Sequence, residues 1–301
     1  MAVVGAAIWT QLWPERGGLE SILNQSTTAV MADMSHLLFK VLMAALSALA
    51  VIAGLDYFWQ RMRFMARNRM STVYMPGHKI TMLPDEVVQT YTLIEGRDCP
   101  AVSLYVTYDE ATLELKGSET KLERVPIVAN LRHDKLDGII TDATLSGKAP
   151  ADYAFAPELA FAFRLAKHLK AQREIVRGKP ETFNRPDYSF KLIGANGENT
   201  MSDGVEPNGT EQVIIGTRAR GSALDLIVAE AMILANSTWG GWLAELGVPG
   251  IYRSQASLQP GIKVRMSTKP APHAGMGVAQ YTWATSPLRR YVDLVNQWQI
   301  D

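Results

Sequence analysis

The sequence predicts an α+β protein, a mixed sheet flanked by helices, following an N-terminal transmembrane helix. Three observations carry that expectation. Residues 101–108 (AVSLYVTY) alternate apolar and polar side chains as a half-buried strand does. Residues 158–177 and 225–246 repeat apolar side chains at helical spacing. Residues 41–55 (VLMAALSALAVIAGL) form an unbroken apolar run unlike the rest of the chain.

The apolar run sets the first element. Extended upstream through Leu37, Leu38 and Phe39 and downstream to Tyr57, Phe58 and Trp59, it predicts a helix over residues 37–59. That is close to the ~20 residues a helix needs to cross a bilayer. The aromatics suit the headgroup interface, and Arg61, Arg63, Arg67 and Arg69 follow with no acid among them. A basic flank stays on the cytoplasmic side. The expectation is an inner-membrane anchor with everything after it in the cytoplasm. If the segment is not native to the domain, the domain is simply cytoplasmic.

Beyond residue 71 the elements follow from pattern and punctuation. Residues 80–82 are strand-like between prolines, and 113–116 (LELK) is the expected hairpin partner of 101–108. The helix over 158–177 carries Leu159, Ala162, Phe163, Ala166 and Leu169 on one face. The helix over 225–246 ends at Gly247, ahead of Pro249. A third helix is expected to start at Ser286-Pro287, because proline suits a first helical turn. Residues 194–208 read as a turn-rich loop. The organisation is therefore a membrane segment over 1–71 and a folded domain over 72–301.

Composition narrows the function. Thirty basic and thirty acidic side chains cancel, so any nucleic-acid binding has to come from a local groove rather than a generally basic surface. Cys99 is the one cysteine, which excludes an internal disulfide and a Cys/His zinc site and suits a reducing compartment. His78, His133, His168 and His273 show no metal-ligand spacing. Trp239 and Trp242 sit at helical spacing and read as core.

Four blocks carry a more specific signal. They are residues 72–84 (TVYMPGHKITMLP), 183–190 (FNRPDYSF), 226–236 (LIVAEAMILAN) with 250–253 (GIYR), and 279–296 (AQYTWATSPLRRYVDLVN) preceded by 273–277 (HAGMG). In this order they resemble the catalytic RNB domain of the ribonuclease II/R exoribonucleases. The resemblance implies an incomplete RNB-type catalytic domain over 72–301, of a family that hydrolyses single-stranded RNA from its 3′ end. It implies that Arg289 holds the scissile phosphate with Arg290 assisting. It further implies that Tyr74 and Phe183 stack on the terminal bases and that Glu230 meets ribose hydroxyls. Read alone, Tyr74 is more often a core residue, Glu230 a structural one and Arg289 and Arg290 ordinary solvated charges, while Phe183 is equally a loop anchor.

Mg²⁺ is the cofactor the resemblance implies, held by an aspartate-rich stretch upstream of the first block. Here the apolar helix occupies that place, and Glu15, Glu20, Asp33 and Asp56 are the only acids upstream of the first block. No metal ligand is assigned, and the chain by itself is expected to be inactive. Residues 45–61 (ALSALAVIAGLDYFWQR), followed by Arg69-Met70-Ser71, resemble the last transmembrane helix and early linker of the flagellar export protein FlhB. The self-cleaving Asn-Pro-Thr-His motif of that family is absent. Two further expectations follow: a membrane-tethered, non-catalytic RNA-binding remnant, or a composite of two genes that includes a flagellar (type III) export fragment.

Overall fold

A computed structural model of the chain describes residues 27–76, 78–132, 136–181, 187–194, 209–218 and 220–301. It divides into two units, Met1–Phe64 and Met65–Asp301. The first unit is described by one helix, α1 (Thr27–Arg69), which runs on into the second. Its stretch His36–Arg69 is long and apolar enough to cross a membrane, and none of its most apolar window is buried. Leu38, Leu49 and Ile52 are all exposed. A helix satisfies its own backbone hydrogen bonds, so it can present such a surface to lipid. It extends past the expected residue 59 because Arg, Met, Gln and Ala are good helix formers. Met70, in the left-handed region at φ 61°, ends it.

Among its described residues the second unit shows small antiparallel sheets in place of the mixed sheet that the sequence suggests. Among the described residues its strands form four separate two-stranded antiparallel sheets. β1 (Val73–Met75) pairs with β2 (His78–Ile80), and β3 (Asp98–Tyr108) with β4 (Leu115–Pro126). β5 (Asp187–Ile193) pairs with β6 (Gln212–Arg218), and β7 (Tyr252–Ser254) with β8 (Arg265–Ser267). The reason is local closure. In the β3–β4 turn, Asp109 accepts the backbone N–H groups of Ala111 and Thr112, both at 3.0 Å, and Leu113 takes a left-handed conformation. β4 is thereby returned onto β3, and at Leu115–Pro126 it is longer than the expected 113–116.

The helices are α2 (Asp85–Tyr91), α3 (Asp142–Leu145), α4 (Ala156–Arg177), α5 (Ala223–Glu245) and α6 (Tyr291–Ile300). Pro157 sits in the first turn of α4, and left-handed Gly178 closes it. Ser222 and Asp225 form a reciprocal capping box at the start of α5. One core cluster joins Ile140, Leu145, Phe163, Ala223 and Leu224, and so packs α3, α4 and α5 together. A second joins Trp239 and Leu243 of α5, Tyr252 of β7, Ile300 of α6 and Ala284 of the segment before α6. Trp239 is buried as expected, whereas Trp242 is partly exposed.

The third helix begins at Tyr291, not at Ser286. Arg290 is extended, at φ −137° and ψ 126°. Its neighbours are already committed: the N–H of Thr72 donates to the Arg289 carbonyl at 3.0 Å, and that of Tyr291 to the Met70 carbonyl at 2.9 Å. Pro287 therefore lies in a tight turn before the helix, in which the N–H groups of Arg289 and Arg290 both bond the Ser286 carbonyl.

Candidate functional site

The site is organised by two buried asparagines. Asn236 lies on the buried stripe of α5, between Ile233 and Trp239. Its side-chain oxygen accepts the Ala284 N–H at 2.9 Å, and its amide reaches Tyr281 Oη at 3.3 Å and Thr285 Oγ1 at 3.4 Å. Its backbone carbonyl accepts the Thr282 hydroxyl at 3.0 Å. Asn296 on α6 accepts the Ile251 N–H at 2.7 Å and donates to the carbonyls of Ile251 and Trp283. Between them the two amides fix residues 281–285 against α5, α6 and the chain entering β7. A side-chain amide can stand in for a backbone pair in this way because it offers both donors and acceptors.

This frame presents the Ser286–Arg290 turn. Asp293 is fully buried, and one of its oxygens accepts the Ser286 N–H at 2.8 Å and Arg290 Nη2 at 2.7 Å. Arg290 also stacks on Trp283, its guanidinium carbon 4.3 Å from the ring centroid. Arg253 lies 4.6 Å from the same centroid. Arg289 is different: its side chain is exposed, with no hydrogen bond or ion pair among the described residues. Tyr74, also exposed, stands opposite Lys79 in the β1–β2 hairpin. An isolated bridge between Ser71 and Arg290 joins the foot of that hairpin to the turn. The first and fourth sequence blocks are thus brought together. Phe183 lies outside the described residues.

Glu230 is buried and faces Arg173 of α4. Arg173 Nε donates to Glu230 Oε2 at 2.9 Å and Nη2 bonds the other oxygen, so the pair is bidentate. The same guanidinium donates to Glu181 Oε2 at 3.1 Å and to the Met276 carbonyl at 2.7 Å. It therefore clamps α4, α5 and the 273–277 turn together. Gly277, at φ 68°, lies against the Arg173 carbonyl, where a Cβ would collide. His273 in that turn is buried. Its Nδ1 accepts the Met276 N–H at 3.2 Å, and its Nε2 has no partner among the described residues. Burial, and then Arg253, push its pKa below the ordinary value. Burial raises that of Tyr281, which meets the His273 ring edge-on.

Sequence reading missed Arg173, Arg253, Asn236, Asn296 and Asp293. For Arg173 a signal existed, since position 173 continues the apolar stripe through Ala162, Ala166 and Leu169. A charge on a buried stripe needs a partner, and position 230 falls on the buried stripe of α5.

The described residues do not fit Mg²⁺, which calls for several carboxylates converging on one point. No group of three or more His, Cys, Asp or Glu side chains among them could hold a metal ion. The buried carboxylates among them, Glu230 and Asp293, pair with Arg173 and Arg290 and do not converge, and the second oxygen of Asp293 has no partner among the described residues.

The RNB domain model matches residues 60–264 and 257–301, and the FlhB HrpN YscU SpaS family model matches residues 1–73. A ribonuclease of Synechocystis sp. is 27% identical over 258 residues, covering 78% of this chain and 34% of its own length. The Dss1 exoribonuclease of Candida glabrata superposes with a TM-score of 0.63 at 19% identity, over 79% of this chain and 34% of that one. Mycoplasma genitalium RNase R in complex with ribose-methylated single-stranded RNA gives 0.59 at 16% identity, over 79% and 42%. The chain thus spans about a third of the length of the Synechocystis protein.

Proposed function

The chain belongs to the RNB domain family of ribonuclease II/R exoribonucleases, behind a segment of the FlhB/YscU family, and from that premise we propose that it grips the 3′ end of single-stranded RNA. The observation that supports this reading is the backbone link between Thr72 and Arg289. It holds an exposed, unengaged guanidinium beside the hairpin that carries an exposed tyrosine. In this reading Arg289 binds a phosphate through its planar fork of donors, and Arg290, steadied by Asp293, assists. Tyr74, with Phe183, stacks on terminal bases, a contact that tolerates any sequence. In this reading Glu230 meets an entering ribose hydroxyl, a group by which RNA is told from DNA, by giving up one of its two bonds to Arg173.

Hydrolysis in this family would draw on Mg²⁺ to activate water and to offset charge on phosphorus. The carboxylates for it do not converge among the described residues, so the reading stops at binding. The test is incubation of the whole protein in detergent with Mg²⁺ and a labelled single-stranded oligoribonucleotide. Binding without release of nucleoside monophosphates is expected, and Arg289→Ala weakens it. Release that disappears in Arg289→Ala would replace binding alone with exoribonuclease activity.

Localisation enters as part of the same proposal: α1 anchors the chain in the inner membrane with the RNB domain on the cytoplasmic side. Recovery of the protein in the soluble fraction without detergent would contradict it. A second reading rests on the two family matches, which overlap only over residues 60–73. It takes the chain as a composite of two genes, joined near Arg69-Met70-Ser71. One uninterrupted frame across this junction in independently sampled genomic DNA would refute it.

A further inference from the structure

The feature that the reading above leaves unused is Arg253. Its backbone is fixed: the N–H donates to the Tyr281 carbonyl at 2.8 Å, and neighbouring Tyr252 bridges to Thr282. This pairing places residue 253 of β7 beside Trp283, and the guanidinium carbon comes to rest 4.6 Å from the indole centroid. The side chain is half-buried and has no hydrogen bond or ion pair among the described residues.

The same indole carries Arg290, at 4.3 Å. Two guanidinium groups on one ring repel each other, and only one is offset. Asp293 gives an oxygen to Arg290 and none to Arg253. The unbalanced charge reaches His273 as well, where Arg253 is the second cause, after burial, of the depressed pKa. Stacking uses the face of a guanidinium and leaves the donors along its edge free. That edge matches a phosphate, whose oxygens can take two parallel N–H bonds. A cation held rigid by a ring, short of an anion and next to a second cation is built to receive one.

We infer that Arg253 is a second phosphate-binding residue of this site, taking an internal phosphodiester of the RNA strand whose 3′ end lies at Arg289. The inference rests on the RNA-binding reading and extends it from one phosphate to two. Trp283 is then a positioning residue that holds Arg253 and Arg290 on one line of contact with the strand.

The experiment is fluorescence anisotropy of a labelled single-stranded oligoadenylate with the full chain in detergent micelles, titrated over a range of KCl concentrations. Each phosphate contact to a single strand contributes about 0.7 to the slope of log affinity against log salt. Arg253→Gln should make that slope shallower by about 0.7, while Arg253→Lys, which keeps the charge, retains it. An Arg253→Gln slope equal to that of the unaltered protein, with the unaltered protein binding normally, overturns this inference alone. Absence of RNA binding by the unaltered protein at low salt overturns the RNA-binding reading with it. A measurement without any variant covers the case in which Arg253→Gln does not fold. Saturating oligonucleotide should protect Arg253 from modification by phenylglyoxal, mapped by peptide mass, and an undiminished rate of modification also overturns the inference.

Discussion

The backbone N–H of Thr72 donates to the carbonyl of Arg289 at 3.0 Å, across almost the whole length of the folded unit. With the Tyr291–Met70 bond beside it, this contact fixes where the Arg289 side chain can go without engaging that side chain. Arg289→Ala should therefore act on binding and not on the fold. A hydrogen bond to a charged group is worth about 1.5–3 kcal/mol. The expected outcome is a loss of RNA affinity of roughly tenfold or more, with an unchanged thermal midpoint by circular dichroism.

Tyr74 is exposed on a short hairpin, so its replacement should scarcely touch stability. If a base stacks on it, Tyr74→Ala loses about 1–3 kcal/mol of binding and Tyr74→Trp keeps it. Equal affinity of the Ala and Trp variants for a labelled oligonucleotide would remove Tyr74 from the site.

Arg173 and Glu230 form a buried, bidentate pair, and removing Glu230 leaves the Arg173 guanidinium with Glu181 as its remaining counter-charge. Glu230→Gln is expected to cost about 3–5 kcal/mol, read from the denaturant midpoint. The double change Arg173→Met with Glu230→Leu should recover much of that, because an apolar pair of similar volume needs no counter-charge. Failure of the double variant to recover would mean that the Met276 carbonyl and Glu181 depend on the guanidinium more than Glu230 does.

His273 makes stability depend on pH with a definite sign. Its folded pKa lies below the ordinary 6.5, so between those values the unfolded chain binds the proton and the folded chain does not. The stabilisation is complete above 6.5 and is lost as the pH falls through that value toward the folded pKa. Protonation at Nδ1 would also end the bond from the Met276 N–H. The thermal midpoint should drop on going from pH 7 to pH 5, and the drop should be smaller in His273→Gln. Tyr281 works from the other end. Burial raises its pKa above 10, so its share of stability is present below that value and fades above it. Tyr281→Phe should lessen the alkaline loss.

Helices α4 and α5 were legible in the sequence because the spacing of their apolar residues is a property of the helix alone. The polar residues on their buried stripes, Arg173, Glu230 and Asn236, were harder to read. Their partners lie on other elements, and nothing near them in sequence says which. The start of α6 was misread for the same reason: Pro287 obeys the local rule for a first turn, but the backbone there is claimed by residues 70–72. The alternation in β3 identified a strand correctly and said nothing of how many strands would join it. Arg289 and Tyr74 are proposed for the site from their motif, while the proposal for Arg253 needed Trp283 beside it.

The Ser71–Arg290 bridge also has a bearing on synthesis. Its two halves are made far apart in time. At about 5–20 residues per second, roughly 10–45 s separate the emergence of one from the other. The β3–β4 and β5–β6 hairpins can close as they leave the ribosome, since both strands of each come out together. Residues 70–72, between α1 and β1, cannot, and they wait without these backbone partners until residues 289–291 arrive. Ribosome-bound nascent chains whose residues 289–291 are unmade or still within the exit tunnel should then be cut by protease just after Arg69, and chains released with those residues emerged should resist.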